Sequence, residues 1–133
     1  MRLLLDTHIL LWYLTDDAKL PKKAKAWIDD AELACYSIIS LWEAAIKHSI
    51  SAARMPVSDE ELAVYAEKTG IECLPLSRYH VAALKTLRRE PGAREHHDPF
   101  DRILLCQAKV ENMMLLTRDA LLRGYTESCV LFV

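Results

Sequence analysis

The stretch RLLLDTHILLWYL (Arg2–Leu14) joins a short apolar run to a segment whose apolar residues have helical spacing. The run RLLL is short and apolar enough to be a fully buried strand that ends at Asp6. In the helix predicted over THILLWYL, either Asp6 or Thr7 is placed to act as the N-cap. A buried strand that leads directly into a helix is the repeating unit of a parallel sheet covered by helices.

The same alternation continues along the chain. Further strands are predicted at LACYS (33–37), IECLPL (71–76), MMLLT (113–117) and SCVLFV (128–133). Further helices are predicted at PKKAKAWIDDA (21–31), ISLWEAAIKHSI (39–50), SDEELAVYAEKTG (58–70), SRYHVAALKTLRRE (77–90) and DPFDRILLCQAKVEN (98–112). The pattern predicts an α/β fold of three layers, in which helices flank a central parallel sheet of about five short strands. We expect one domain over residues 1–133.

Composition narrows the class of protein. Apolar residues make up 52% and charged residues 27% of the 133 residues, as in globular proteins, and the net charge of -2 argues against a broadly basic nucleic-acid coat. The four cysteines are far apart, with no C-x-x-C pair, which indicates reduced thiols. The N-terminal apolar segment is too short and polar to span a membrane. We therefore expect a cytoplasmic protein without membrane association.

Four acids fall where a parallel sheet binds ligands, beyond the carboxyl ends of its strands. Asp6 follows the first strand and Asp119 the fourth. Glu43 lies in the helix after the second strand, and Asp101 lies in the first turn of the helix that leads to the fourth. Each has a structural alternative: Asp6 and Asp119 can cap helices, Asp101 can favour a helix N-terminus, and Glu43 can form an exposed ion pair with Lys47.

Convergence of these carboxylates predicts a metal site. Clustered ionised carboxylates repel one another unless a cation neutralises them. Ligand sets made only of oxygen suit Mg²⁺ or Mn²⁺ better than zinc. Such an ion activates water for hydrolysis of a phosphodiester without a nucleophilic side chain.

The segment EHHDPFDRILLCQA (95–108) carries two of the acids in question. Asp98 followed by Pro99 is typical of an N-cap, and we favour Asp101 as the metal ligand, with Asp98 as a possible further ligand. His96 and His97 are expected to be exposed to solvent. No other histidine or cysteine stands at zinc-ligand spacing from them.

Small hydroxyl and basic residues adjoin these acids. The hydroxyls have two possible roles: they can take part in capping and core hydrogen bonds, or they can orient a carboxylate or a water. For the arginines, a solvated surface role competes with phosphate contact. The candidate substrate-contacting or accessory residues are Thr7, His8, Ser40, Arg102, Thr117 and Arg118.

The motifs LLLDTHILLWYL, SIISLWEAAIK, DPFDRILLCQA and LLTRDA occur in the order seen in PIN-domain ribonucleases, and the chain most resembles VapC-type toxins of toxin–antitoxin pairs. The resemblance runs from Arg2 to Ala120. It implies a PIN fold that binds Mg²⁺ or Mn²⁺ through Asp6, Glu43, Asp101 and Asp119 and cleaves RNA. It also implies a homodimer and a small cognate antitoxin that occupies the site. The loop RREPGAREHH (88–97) departs from the shorter Leu-Pro-His-type loop of relatives.

Other functions compete with the toxin interpretation. A catalytically silent PIN-like module would bind RNA or protein, and a PIN nuclease could act in general RNA processing. A haloacid-dehalogenase-type phosphatase would need an aspartate two residues after Asp6, where the chain has His8. A response-regulator receiver would need an acidic pair at the end of its first strand, which is also absent.

Overall fold

A five-stranded sheet forms the centre of the protein in a computed structural model that describes residues 1–133. The strands are β1 (Arg2–Leu5), β2 (Leu33–Ser37), β3 (Glu72–Leu74), β4 (Met114–Thr117) and β5 (Val130–Phe132). They lie in the order β3-β2-β1-β4-β5, and each neighbouring pair is parallel. The predicted parallel α/β architecture is confirmed.

Helices connect the strands and cover both faces of the sheet. They are α1 (Thr7–Leu14), α2 (Lys22–Asp29), α3 (Ile38–Ile50), α4 (Asp59–Thr69), α5 (Arg78–Ala82) and α6 (Pro99–Glu111), with 3₁₀ turns at Ala83–Thr86 and Ala120–Gly124. None of them combines the length and the hydropathy needed to cross a bilayer.

The side chains of β1 divide the core into two layers. Leu3 and Leu5 point into the cluster formed with α1, α2 and α4, whereas Leu4 points into the cluster formed with α6. All three leucines are fully buried, because alternate residues of a central strand face opposite sides of a sheet that helices cover on both faces. Truncating one of them to alanine would cost about 2–5 kcal/mol.

Helix ends follow the sequence signals in most places. Ser58 and Glu61 form a capping box at the start of α4, and Gly70 ends that helix with a φ of 79°. The helix predicted over residues 77–90 is wrong in its second half, since α5 stops at Ala82 and the following 3₁₀ turn stops at Thr86. The backbone at Arg89 instead forms an antiparallel bridge with Tyr125, which removes these residues from the helix.

The connections bring the ends of β1 and β4 together. After β1 the chain moves to β2 on one side, and it later returns to β4 on the other side of β1. The backbone amide of Asp6 donates to the carbonyl of Leu116 across 3.0 Å, which links the carboxyl ends of the two strands. The site predicted from strand ends therefore lies where the strand order reverses.

Candidate metal centre

An acidic cleft of about 380 Å³ opens at the carboxyl ends of β1 and β4. All four predicted acids line it. Its lining residues are Asp6, His8, Ile9, Trp12, Glu43, Lys47, Asp98, Asp101, Arg118 and Asp119. The strand ends supply Asp6 and Asp119, α3 supplies Glu43, and the start of α6 supplies Asp98 and Asp101.

Asp6 is held by a hydroxyl from β4. The Oγ1 of Thr117 donates to Oδ2 of Asp6 across 2.6 Å, and this hydroxyl oxygen of Thr117 accepts from the backbone amide of Asp119 at 3.0 Å. The Asp6 side chain makes no capping hydrogen bond to α1, so its carboxylate is free of that structural role. Burial and, less strongly, the Glu43 carboxylate raise the pKa of Asp6, against the lowering effect of the Thr117 hydrogen bond.

Glu43 is buried, with 3% of its surface exposed. Its Oε1 accepts from Thr7 Oγ1 at 2.7 Å, and the hydroxyls of Thr7 and Ser40 lie 2.8 Å apart. Because Thr7 uses its proton on Glu43, Ser40 is the donor to Thr7. The Glu43–Lys47 ion pair predicted as an alternative exists through Oε2, but the carboxylate is buried rather than on an exposed surface.

Lys47 is a cation within this acidic cleft. Burial lowers the pKa of its ammonium group, but the hydrogen bond and attraction to Glu43 outweigh burial and raise it. The lysine therefore stays charged and partly offsets the surrounding carboxylates. From the sequence, Lys47 is predicted only as an exposed partner of Glu43, and its spacing of one turn after Glu43 is the signal for its place in the cleft.

Asp98 begins α6, as predicted. Its Oδ1 accepts from the backbone amides of Phe100 at 2.9 Å and Asp101 at 3.2 Å. Asp101 lies one turn into the helix and faces the other acids. Burial raises its pKa to about 9, with further contributions from the carboxylates of Asp6 and Asp119.

Asp119 caps a 3₁₀ turn with one carboxylate oxygen and turns the other towards the cleft. Its Oδ1 accepts from the amide of Leu121 at 2.9 Å and so caps the final 3₁₀ turn. Its Oδ2 lies on the cleft side, 3.9 Å from Nε2 of His96. One oxygen is thus fixed by the backbone, and the other is available to a ligand.

His96 corrects the expectation that both histidines are exposed. Only 7% of its surface is accessible, whereas His97 is exposed and contacts Glu95. The Nδ1 of His96 lies 2.7 Å from the hydroxyl of Tyr125, and the two rings meet edge to face. Burial lowers the pKa of His96, although the Asp119 carboxylate opposes this.

Of the two predicted arginines, only Arg118 lines the cleft. It donates to the carbonyl of Lys19 at 3.1 Å and lies over the Trp12 ring. Arg102 is not among the lining residues, and its positive charge instead acts on the Tyr125 hydroxyl. His8 lines the cleft beside Trp12, and its role as an accessory residue stays a prediction.

A second, larger cleft of about 570 Å³ adjoins the acidic one and shares His8, Trp12 and Lys47 with it. Three of its lining residues, Lys19, Lys47 and Arg54, are cations. The acids of the metal centre do not line it, and it contains Asp17 as its single carboxylate. A cleft lined by three cations thus adjoins the acidic cleft, although the chain as a whole is nearly neutral.

The donor chemistry of the acidic cleft fits a divalent cation. Burial and, after it, the neighbouring carboxylates raise the pKa values of Asp6 and Asp101, so the ionised form of each acid is disfavoured in the metal-free cleft. A bound cation would remove this cost. Asp6, Glu43, Asp101 and Asp119 are the residues that would hold it.

The comparison with protein families matches the PIN domain over residues 3–127, and the chain belongs to this family. A chain in the crystal structure of VapBC2 from Rickettsia felis bound to a promoter DNA fragment superposes with a TM-score of 0.68 at 14% identity, covering 99% of this chain and 98% of that one. A chain of a toxin–antitoxin complex from Klebsiella pneumoniae superposes with a TM-score of 0.58 at 17% identity, covering 96% and 94%. No curated protein matches the sequence. Family membership supports a nuclease, and the structural likeness is one of fold.

Proposed function

We propose that this protein is an endoribonuclease that uses Mg²⁺ or Mn²⁺ to hydrolyse RNA phosphodiester bonds, and that it is the toxin of a toxin–antitoxin pair. The observation that carries the proposal is the convergence of Asp6, Glu43, Asp101 and Asp119 on one cleft of a PIN-domain chain. A silent binding module would have no need of four carboxylates held together at a cost in stability.

The acids would hold the metal, and the residues behind them would set their orientation. When bound, a divalent cation supplies Lewis acidity, lowering the pKa of water and neutralising charge on the phosphate. Thr117 holds Asp6, and Thr7 with Ser40 holds Glu43, so neither carboxylate can rotate freely. Arg118 and Lys47 are the cations placed to contact phosphate oxygens.

Protein partners are part of the proposal. The two solved structures reported above are a VapBC2 complex and a toxin–antitoxin complex. On α3 an apolar stripe repeats every four residues on the surface: Ile38, Trp42, Ile46 and Ile50. Trp42 is 59% and Ile50 78% exposed, which is typical of an interface rather than of a free surface. A small antitoxin and a homodimer remain our expectation, as do a cytoplasmic location and a single domain over residues 1–133.

The test is cleavage of RNA with Mg²⁺ or Mn²⁺ by the wild type, Asp6→Asn and Asp101→Asn. We expect cleavage by the wild type alone, and no cleavage in the presence of a chelator. Asp30→Asn is the matched control, because Asp30 is an exposed aspartate at the end of α2, outside the cleft. Equal cleavage by the wild type and both cleft variants would refute the site, and cleavage without metal would refute the mechanism.

Expression in a bacterial host separates the toxin from the alternatives. A toxin should arrest growth, Asp6→Asn should not, and a small protein encoded beside it should relieve the arrest. Cleavage in vitro without growth arrest would favour a PIN nuclease of general RNA processing. Absence of both would favour the silent binding module.

A further inference from the structure

His96 brings an imidazole nitrogen into an otherwise oxygen-rich centre. Its ring is positioned by Tyr125, whose hydroxyl lies 2.7 Å from Nδ1. Tyr125 is itself held, since the guanidinium of Arg89 lies 4.5 Å from its ring and donates to the carbonyl of Leu121 at 2.8 Å. The orientation of the imidazole is therefore fixed from behind.

The opposite nitrogen, Nε2, is buried and has no hydrogen-bond partner. It points towards two carboxylates, with Asp101 Oδ2 at 3.5 Å and Asp119 Oδ2 at 3.9 Å. These separations are longer than ordinary N–H···O hydrogen bonds. Buried polar nitrogens without a partner are rare in folded proteins, and an ion that the site normally holds is a common reason for one.

The spacing of the three atoms suits a shared cation. Transition-metal bonds to imidazole and carboxylate of about 2.1 Å place neighbouring ligand atoms about 3–3.5 Å apart. Nε2 of His96 and one oxygen each of Asp101 and Asp119 all lie within 4.8 Å of one another. We propose that His96, Asp101 and Asp119 form a position for a divalent transition metal ion such as Mn²⁺ or Co²⁺. This position deepens the metal centre of the proposed function and rests on it.

The nitrogen ligand changes which ion the centre prefers. Mg²⁺ takes oxygen ligands and dehydrates reluctantly, whereas imidazole binds first-row transition metals well. Metal-binding histidines usually donate their other N–H to a neighbouring acceptor, which fixes the tautomer that ligates. The Tyr125 hydroxyl oxygen, 2.7 Å from Nδ1 of His96, is placed to be this acceptor, and in that tautomer Nε2 carries the lone pair that binds a metal. A metal site made only of the four carboxylates would not need a buried imidazole held with its Nε2 towards Asp101 and Asp119.

Pulsed EPR on the wild-type protein loaded with Mn²⁺ tests the proposal directly. We expect a ¹⁴N coupling from a directly bound imidazole. His96→Asn should abolish the coupling and weaken Mn²⁺ binding about tenfold or more, while Mg²⁺ binding changes much less. Asparagine is chosen because its amide can still reach Tyr125, which protects the fold. His97→Asn is the matched control, and it should keep the coupling and both affinities.

Absence of a ¹⁴N coupling in the wild type would overturn the proposal, whatever the variants do, and so would a coupling that survives in a folded His96→Asn protein. The wild-type measurement stands even if the variant fails to fold. Metal-dependent RNA cleavage without nitrogen coupling would overturn this inference and leave the proposed function intact. A ¹⁴N coupling in a protein that does not cleave RNA would overturn the proposed function and leave the metal position intact.

Discussion

The hydroxyl of Thr117 donates to Oδ2 of Asp6 across 2.6 Å, although the two residues are 111 positions apart in the chain. Its oxygen also accepts from the amide of Asp119. A single hydroxyl at the end of β4 thus fixes a carboxylate at the end of β1 and the backbone that carries a second one. Two candidate metal ligands, Asp6 and Asp119, are thus held in position by the same residue.

Thr117→Val should therefore lower the stability of the protein and its affinity for metal, although it changes none of the candidate metal ligands. Loss of the hydroxyl leaves a buried Asp6 oxygen without its donor, and we expect a destabilisation of about 1–2 kcal/mol. Loss of orientation should lower metal affinity or cleavage rate about 10–100-fold. Urea unfolding and metal titration measure the two effects separately. Thr117→Ser keeps the hydroxyl but loses a buried methyl group, so it should retain the metal affinity while losing some stability. Wild-type metal affinity in Thr117→Val would contradict the prediction.

Asp98 presents a choice between cap and ligand that substitutions can resolve. Asp98→Ala removes the acceptor for the amides of Phe100 and Asp101 and should cost about 0.5–2 kcal/mol. Asp98→Asn keeps an acceptor oxygen but removes the charge, so stability should remain near that of the wild type. If Asp98 is only a cap, metal affinity measured by calorimetry should change little in Asp98→Asn. A loss of about tenfold or more at unchanged stability would make Asp98 a ligand.

The strands and the four acids could be predicted because their signals are local. Each strand is a short apolar run between polar residues. Because the carboxyl ends of parallel strands lie at one edge of the sheet, the sequence alone predicts that Asp6 and Asp119 lie close together. The DP dipeptide likewise marks the start of α6 in the sequence itself.

The burial of His96 could not be predicted in this way. Its environment depends on Tyr125, 29 residues later, and on Arg89, whose backbone leaves the predicted helix to pair with Tyr125. No local pattern records that pairing. The helix predicted through residue 90 failed for the same reason, because long-range bridging outcompeted helix propensity.

Lys47 should act as an internal counter-ion for Glu43 when no metal is bound. Lys47→Met leaves the buried carboxylate without its cation, and we expect the metal-free protein to lose about 1–3 kcal/mol of unfolding free energy. The increase in Tm on adding Mg²⁺ should then be larger than in the wild type, because the metal takes over the neutralising role. Lys25→Met is the control, since the Lys25–Asp29 pair has the same spacing but is exposed. Equal Mg²⁺-induced shifts in the two variants would contradict the prediction.

Asp101 should make the stability of the metal-free protein depend on pH. Its pKa of about 9 in the folded state lies above its ordinary value of 3.8, so between these values the folded protein holds a proton that the unfolded chain has released. The contribution of this proton to the free energy of unfolding is fully present below pH 3.8 and is lost as the pH rises towards 9. Asp101→Asn removes this loss, because an amide does not titrate, and should make the metal-free protein more stable than the wild type at pH 8. Thermal unfolding with a chelator at a series of pH values measures the slope, with Asp30→Asn as control. A steep slope that persists in Asp101→Asn would assign the titration to another carboxyl group of the cleft.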